Sequence, residues 1–338
     1  MGGLIAIRDF ATDFYNFDPD RVTLLPMAGS NRVYVRLFFI HTVVIGTFNE
    51  NVAENQAFFY LSDALSKKGI HVPKVLAISD DQKIYLQEDC GSMDAYSLLI
   101  GAKTEEKVAL LREIIDDLVE LHIKASSGID YLRCYPSASF DYSDVLYDLR
   151  YFERHFLSQV GIGYDVKKLK REFENIATGV TNAHFLTFMY RDFQSRNIMV
   201  QEDKLTFIDF QGGRRGPGVY DIISLLYQAK LQLDEGNRKA LIQYYISKIC
   251  QQSVNTIEQL EADVHAIKIV RLLQVLGAYG LRGLVEQKPH FISSIDPAID
   301  NLKIFTEDAN FAKRCPYLHS LLEKIVQNKS EILCLIPA

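Results

Sequence analysis

The apolar patterning changes character early in this chain, and that change restricts the fold more than any other feature. From Val22 to Phe48 the sequence is rich in Val, Ile, Phe, Tyr and Thr around the turn signal MAGSN. Such a run predicts two or three antiparallel strands. From Ala53 to Lys68 the apolar residues Ala57, Phe58, Leu61, Ala64 and Leu65 recur at helical spacing until Gly69 ends the run, which predicts one helix packed on that sheet. HVPKVLAIS and KIYLQED add two strands about an aspartate-pair hairpin tip, for a sheet of about five strands. DCGSMDAYSLL then loses strand character and carries Gly91. Glu88 to Met93 is therefore the expected connector, with a boundary near residue 92 between an N-terminal lobe (1–91) and a C-terminal lobe (92–338).

Helical periodicity takes over beyond that point. Leu110, Leu111, Ile114, Leu118, Val119 and Leu121 share one face of the segment from Thr104 to Ala125. Similar patterns recur at Tyr142 to Gln159, Tyr164 to Asn182, Gly218 to Ala229, Arg238 to Cys250, Thr256 to Gln287 with breaks, and Pro316 to Gln327. The class is α+β: an N-terminal antiparallel sheet plus a helix, followed by a mostly helical lobe. A chain of 338 residues suffices for two lobes, each with its own core.

Composition narrows the function. The five cysteines are odd in number, scattered and never in a C-x-x-C pair, which argues against a disulfide framework or a zinc site and fits a reducing cytoplasm. The formal net charge of −6 argues against a protein devoted to nucleic-acid phosphates and favours small-molecule partners. The sequence is expected to lack both an apolar run of roughly 18 to 20 residues and an export signal, so neither membrane nor secretion is expected.

Chemistry concentrates in YRDFQSRNIMVQEDKLTFIDFQ, from Tyr190 to Gln211. NIMV and LTFID read as two short strands joined by the polar turn QEDK, which brings Asn197 and Asp209 to neighbouring strand ends. A carboxylate and an amide carbonyl are hard oxygen ligands suited to Mg²⁺, which takes further ligands from water and substrate phosphates. Asp192, in the preceding loop, would face the same site as a base or a nucleophile-orienting group. Phosphoryl transfer needs this set: one carboxylate for the attacking hydroxyl, two ligands for metal and nucleotide. Turn capping and strand ends could explain each residue singly, but not the three-part spacing.

The stretch resembles the aminoglycoside phosphotransferase family, relatives of protein kinases that phosphorylate small hydroxyl compounds. There the catalytic loop commonly reads H-G-D or H-R-D, four residues and N, then a strand ending in I-D. This chain has Y-R-D-F-Q-S-R-N and F-I-D-F-Q. The resemblance implies a bilobal protein-kinase-like fold, ATP and Mg²⁺ as cofactors, Asp192 as catalytic base, and Asn197 and Asp209 as metal ligands. G-P-G-V-Y-D-I-I-S-L-L resembles the family's G-D-P-x-x-D-L-A, making Asp221 a structural brace, and L-V-E-L-H resembles the helix before the catalytic loop. Among branches, Y-R-D-F-Q-S-R-N-I-M, I-D-F-Q and G-P-G-V-Y-D look most like bacterial kinases of the anomeric hydroxyl of N-acetylmuramate or N-acetylglucosamine.

The family pattern is broken twice. Tyr190 replaces the usual histidine, and its ring and hydroxyl donor could keep the bracing role. In the strand TVVIGTF, Gly46 or Thr47 stands where kinase-like folds place a lysine paired with a helical glutamate. Glu54 is placed to be that glutamate, or is a solvated helix residue, and Arg32 or Arg36 could supply the cation. Gly29, Ser30 and Asn31 either offer backbone N–H groups to phosphates or make an ordinary hairpin. Arg36 and Glu54, with Gln87 and Glu88 in the hinge that meets the base, complete the expected nucleotide set. Arg196 is expected to serve the transferring phosphoryl group, while Arg214 and Arg215 could equally pair with surface carboxylates. RLLQVLGAYGLRG and KPHF, a glycine-containing interruption, are candidates for the acceptor pocket.

The expected activity is an ATP- and Mg²⁺-dependent kinase of a small hydroxyl compound, foremost an N-acetylated amino sugar at its anomeric position. Aminoglycosides or other small alcohols are the runner-up acceptors, with the acids around Asp144 and Asp148 as an attraction for cations. A nucleotide-binding pseudokinase is the rival from another class, suggested by Tyr190 and the missing lysine; the intact Asp192, Asn197 and Asp209 weigh against it.

Overall fold

Period-two alternation in the early strands builds a single five-stranded antiparallel sheet in the computed structural model, which describes residues 2–26, 32–202 and 204–335. A helix, α1 (Gly2–Tyr15), comes first. Strands β1 (Arg21–Leu24), β2 (Val33–Phe39) and β3 (Thr42–Phe48) follow, then helix α2 (Val52–Lys67) and strands β4 (Val75–Ile78) and β5 (Ile84–Glu88). The spatial order is β1-β2-β3-β5-β4. The expected strands and α2 are all present. The phosphate-turn residues Gly29, Ser30 and Asn31 lie outside the described residues.

Helix α1 has no counterpart among the sequence-based expectations. Its Ile7 and Ala11, four residues apart and fully buried, pack on Val35, Leu37, Val44 and Leu86 of the sheet. Gly46 belongs to that contact: a Cβ there would lie 2.2 Å from Ile7 Cγ2. Alternation along β3 puts Val44 and Gly46 on the α1 face, and Ile45 and Thr47 on the other. Of the two candidates for the lysine position, only Thr47 therefore faces α2, whose Phe58 ring lies 5.1 Å from Tyr85, the partner of Thr47 in the ladder.

After β5 the order is α3 (Ala95–Leu99), α4 (Thr104–Lys124), α5 (Tyr142–Phe152), α6 (Val166–Thr181), β6 (Leu186–Met189), β7 (Ile198–Gln201), β8 (Lys204–Phe207), β9 (Arg214–Pro217), α7 (Val219–Leu226), α8 (Glu235–Cys250), α9 (Ile257–Tyr279), α10 (Pro289–Asp300), α11 (Lys303–Thr306), α12 (Ala309–Arg314), α13 (Pro316–Gln327) and α14 (Lys329–Cys334). Secondary structure thus changes where the patterning changes. The compact units are not contiguous in sequence: the first comprises 1–98, 120–138 and 190–214, the second 99–119, 139–189 and 215–338.

The β7–β8 hairpin belongs to the first unit. Phe207 N donates to His71 O at 2.9 Å and Val200 N to Met93 O at 2.8 Å, while Phe210 stacks on Phe58 of α2 with centroids 5.0 Å apart. Backbone and aromatic contacts together fix the hairpin against the segments around the sheet.

In the second unit α9 packs on α5 and α7. The helix predicted from Tyr142 to Gln159 ends its α-form at Phe152 and continues as a π-helical turn, Glu153–Leu157; α9 does the same over Gly280–Val285. Glycine is required where these helices meet, because a Cβ on Gly280 would lie 2.1 Å from His155 O and one on Gly277 2.9 Å from Phe152 N. The expectation of no membrane-length apolar run needs correcting: Ile257–Val285 is long and apolar enough by length and composition. Its Asp263 and Arg271 are buried, and Asp263 accepts from the His184 and Phe185 backbone N–H groups, so it is a core helix with internal polar partners.

Candidate active site

The loop from Tyr190 to Gln211 gathers its oxygen ligands by local backbone geometry. A single 3₁₀ turn, Ser195–Asn197, delivers the chain into β7, and β7 pairs with β8 from Ile198↔Phe207 to Gln201↔Lys204. One step beyond the ladder, Ile208 N donates to Asn197 O at 2.9 Å. Asn197 and Asp209 therefore flank the open end of the hairpin, as the spacing predicts. Asn197 Nδ2 donates to the Asp192 carbonyl at 2.9 Å, which ties the asparagine to the Asp192 backbone.

Asp209 sits at φ +67°, a left-handed conformation uncommon for non-glycine residues, though aspartate tolerates it better than most. Tyr190, 1% exposed, donates its hydroxyl to the carbonyl of Ile208, immediately before Asp209. Its ring is packed edge-on by Phe193, Phe207 and Phe210. Tyrosine thus braces the backbone beside Asp209 through its hydroxyl.

Asp209 Oδ1 accepts from Gln211 Nε2 at 2.6 Å and from Arg32 Nη1 at 3.1 Å. The side chain keeps 37% of its surface open yet lies deep among protein atoms; depth, not opening, governs its titration. Removal from water pushes its pKa up, Arg32 draws it down and Asp192 raises it again. Asp192 is exposed, and its Oδ1 accepts from Gln194 Nε2 at 3.1 Å.

Arg32 is 6% exposed and pairs with both Glu54 and Asp209. Glu54 is accordingly no solvated helix residue. Its place in the first turn of α2 follows from the Asn51 cap, whose side chain accepts from Glu54 N. Arg32 Nη1 also donates to Tyr34 Oη at 3.2 Å. Burial works against the guanidinium charge, but Tyr34, Asp209 and Glu54 more than offset it, and the pKa is raised.

Other expected residues fall elsewhere. Arg36 pairs with Asp89 at 2.9 Å and donates to Gly91 O; it staples β2 to the segment after β5 and does not join Glu54. Glu88 is committed to Lys74, giving its N–H to Lys74 O and accepting Lys74 N on its carboxylate. Gln87, 8% exposed, has a side-chain carbonyl without a hydrogen-bond partner among the described residues. Arg196 lies over the Tyr96 ring, 5.9 Å from its centroid. Asp144 closes a capping box with Asp141 and Asp148 is 3% exposed, so neither forms the open acidic surface expected to draw polycations. Asp221, 0% exposed, opens α7. Gln211, Gln194 and Tyr34 were not foreseen. Gln211 had a signal: Phe210 points into the core, so period two returns 211 to the side of 209.

The sequence model of the phosphotransferase enzyme family matches residues 29–255, more than half of the chain. The chain belongs to this family. As a member it is a phosphotransferase of small molecules that acts on a hydroxyl acceptor. A curated relative, the N-acetylmuramate/N-acetylglucosamine kinase of Pseudomonas aeruginosa, is 23% identical over 241 residues, 70% of this chain and 69% of the relative. Its namesake from Neisseria meningitidis serogroup B is 25% identical over 170 residues, about half of each protein (49% and 49%). Among solved structures, a Plasmodium vivax ethanolamine kinase superposes with a TM-score of 0.60 at 14% identity, covering 90% of this chain and 87% of that one. The apo form of aminoglycoside phosphotransferase APH(4)-Ia gives 0.60 at 10% identity over 89% and 100%. A variant of a thermostable mutant of that enzyme, in ternary complex with ADP and hygromycin B, gives 0.56 at 9%, over 88% and 98%. The phosphotransferase therefore has the kinase-like fold.

Proposed function

We propose that this phosphotransferase moves the γ-phosphoryl group of ATP, with Mg²⁺, to the anomeric hydroxyl of an N-acetylated amino sugar. The observation that carries the kinase chemistry is the joining of Asn197 to Asp192 O and to Ile208 N, which ties the Asp192 loop to the end of the hairpin beside Asp209. The amino-sugar acceptor rests on the two curated relatives, both named N-acetylmuramate/N-acetylglucosamine kinase. A cytoplasmic setting, where ATP is available, accompanies the reading.

The residues fit the cofactors. The Asn197 amide oxygen and the Asp209 carboxylate are hard donors, too few to enclose a metal, as expected of Mg²⁺ that keeps waters and phosphate oxygens. When bound, the metal offsets charge on the phosphates. Asp192 takes the proton of the acceptor hydroxyl as its oxygen bonds to phosphorus; the bond from phosphorus to the β–γ bridging oxygen breaks, and ADP leaves. Tyr190 and Gln211 hold Asp209 in its left-handed conformation meanwhile. The test is a panel of hydroxyl compounds in a coupled ADP assay, with the product analysed by phosphorus–proton coupling. N-acetylated hexosamines should lead and give the 1-phosphate. Exclusive 6-phosphate formation, or turnover of aminoglycosides alone, would overturn the acceptor.

A further inference from the structure

A lysine from the strand facing α2 normally directs the phosphates in kinase folds, and this chain has no lysine before Lys67. Four arginines precede it: Arg8, Arg21, Arg32 and Arg36. Arg8 pairs with Asp9 on the exposed face of α1. Arg21 lies over the Phe38 ring, 3.7 Å from its centroid. Arg36 is held by Asp89 and Gly91 O. Arg32 alone of the four reaches both the α2 glutamate and the carboxylate of Asp209.

We infer that Arg32, entering from the residue before β2, is the phosphate-directing cation of this phosphotransferase, tethered by Glu54 and supported by Tyr34. The inference rests on the ATP reading above. Thr47, the β3 residue facing α2, is short, fully buried and directly across the ladder from Tyr34, whose hydroxyl accepts from Arg32. The cation has moved one strand over while its glutamate has stayed. Charge favours the same conclusion. Arg32 is buried and paired with two carboxylates, so a fixed cation stands beside Asp209 where a phosphate can meet it. A guanidinium, unlike an ammonium, presents five donors in a planar fork. It can hold Glu54 with one arm and turn the arm that now meets Asp209 Oδ1 toward a phosphate oxygen. Arg32 thereby shields the metal-ligand carboxylate in the free enzyme and frees it as nucleotide arrives.

The experiment separates phosphate recognition from base recognition and from metal. ADP and adenosine are titrated calorimetrically into the full chain with chelator present, for wild type, Arg32→Met, Arg32→Gln and Arg32→Lys, with thermal melts alongside. Wild type should prefer ADP. Losing a charge-assisted contact should cost Arg32→Met and Arg32→Gln about tenfold or more in ADP affinity and leave adenosine unchanged, while Arg32→Lys keeps part of the preference. Arg32→Gln retains a donor toward Glu54 and serves if Arg32→Met does not fold. An ADP preference that survives in both neutral variants, or ADP and adenosine affinities that fall together, would overturn the inference and leave Arg32 a structural ion pair. Wild type with no affinity for ADP even after Mg²⁺ is restored would instead sink the ATP reading itself.

Discussion

Replacing Tyr190 with phenylalanine removes one oxygen and nothing else, so it isolates the brace on Asp209. The ring contacts to Phe193, Phe207 and Phe210 survive, and no cavity of side-chain size opens. What changes is the Ile208 carbonyl, which loses the donor that Tyr190 supplies. A hydrogen bond is worth about 0.5–1.5 kcal/mol net, and a buried acceptor left without a partner costs about 1–3 kcal/mol. Tyr190 is 1% exposed, so water reaches the site poorly and the expected loss is about 1–2 kcal/mol. The second effect is local. Asp209 holds φ +67°, and release of the neighbouring carbonyl lets that backbone relax, which weakens Mg²⁺–nucleotide binding while Asp192 stays in place. The assays are urea unfolding and calorimetric titration of ADP with and without Mg²⁺. A variant that matches wild type in both stability and Mg²⁺-dependent affinity would refute the bracing role.

Asn197→Ala and Asp209→Ala should each weaken Mg²⁺-dependent nucleotide binding, with Asp209 the costlier because it carries charge toward a dication; equal nucleotide affinity with and without Mg²⁺ in wild type would dismiss both as ligands. Gly280→Ala should destabilise by about 3 kcal/mol or more, because its Cβ would meet the His155 backbone carbonyl, which cannot step aside. Gly46→Ala should cost less, since its 2.2 Å clash is with the end of the Ile7 side chain; a melt that ranks the two the other way would contradict the packing argument.

The catalytic hairpin was legible because its information is local: D-x-x-x-x-N and I-D sit within one loop and one ladder, and period two places their side chains. The five-stranded sheet and α2 followed from alternation and a helical repeat for the same reason. Helix α1 was missed because its burial depends on a sheet that forms later in the chain, and its Gly-Gly start carries no capping signal. Gly46 misled for a related cause: its reason for being glycine is Ile7, some forty residues earlier. The π-helical turns escaped because an inserted residue shifts the helical phase without erasing it. Arg32 and Arg36 were indistinguishable in sequence, separated by four residues on one strand edge; only the positions of Glu54 and Asp89 tell them apart.

The central claim is that Asp192 takes the proton of the acceptor hydroxyl, and Asp192→Asn tests it most directly. ADP–Mg²⁺ affinity and the thermal melt of the variant should match wild type, because Asn197 is tied to the Asp192 backbone carbonyl, not to its carboxylate. Acceptor-dependent ADP release should fall by about 10²–10⁴-fold, the usual worth of a positioned base. Undiminished turnover in Asp192→Asn, measured with an acceptor that wild type consumes, would contradict the assignment of the base and with it the proposed mechanism.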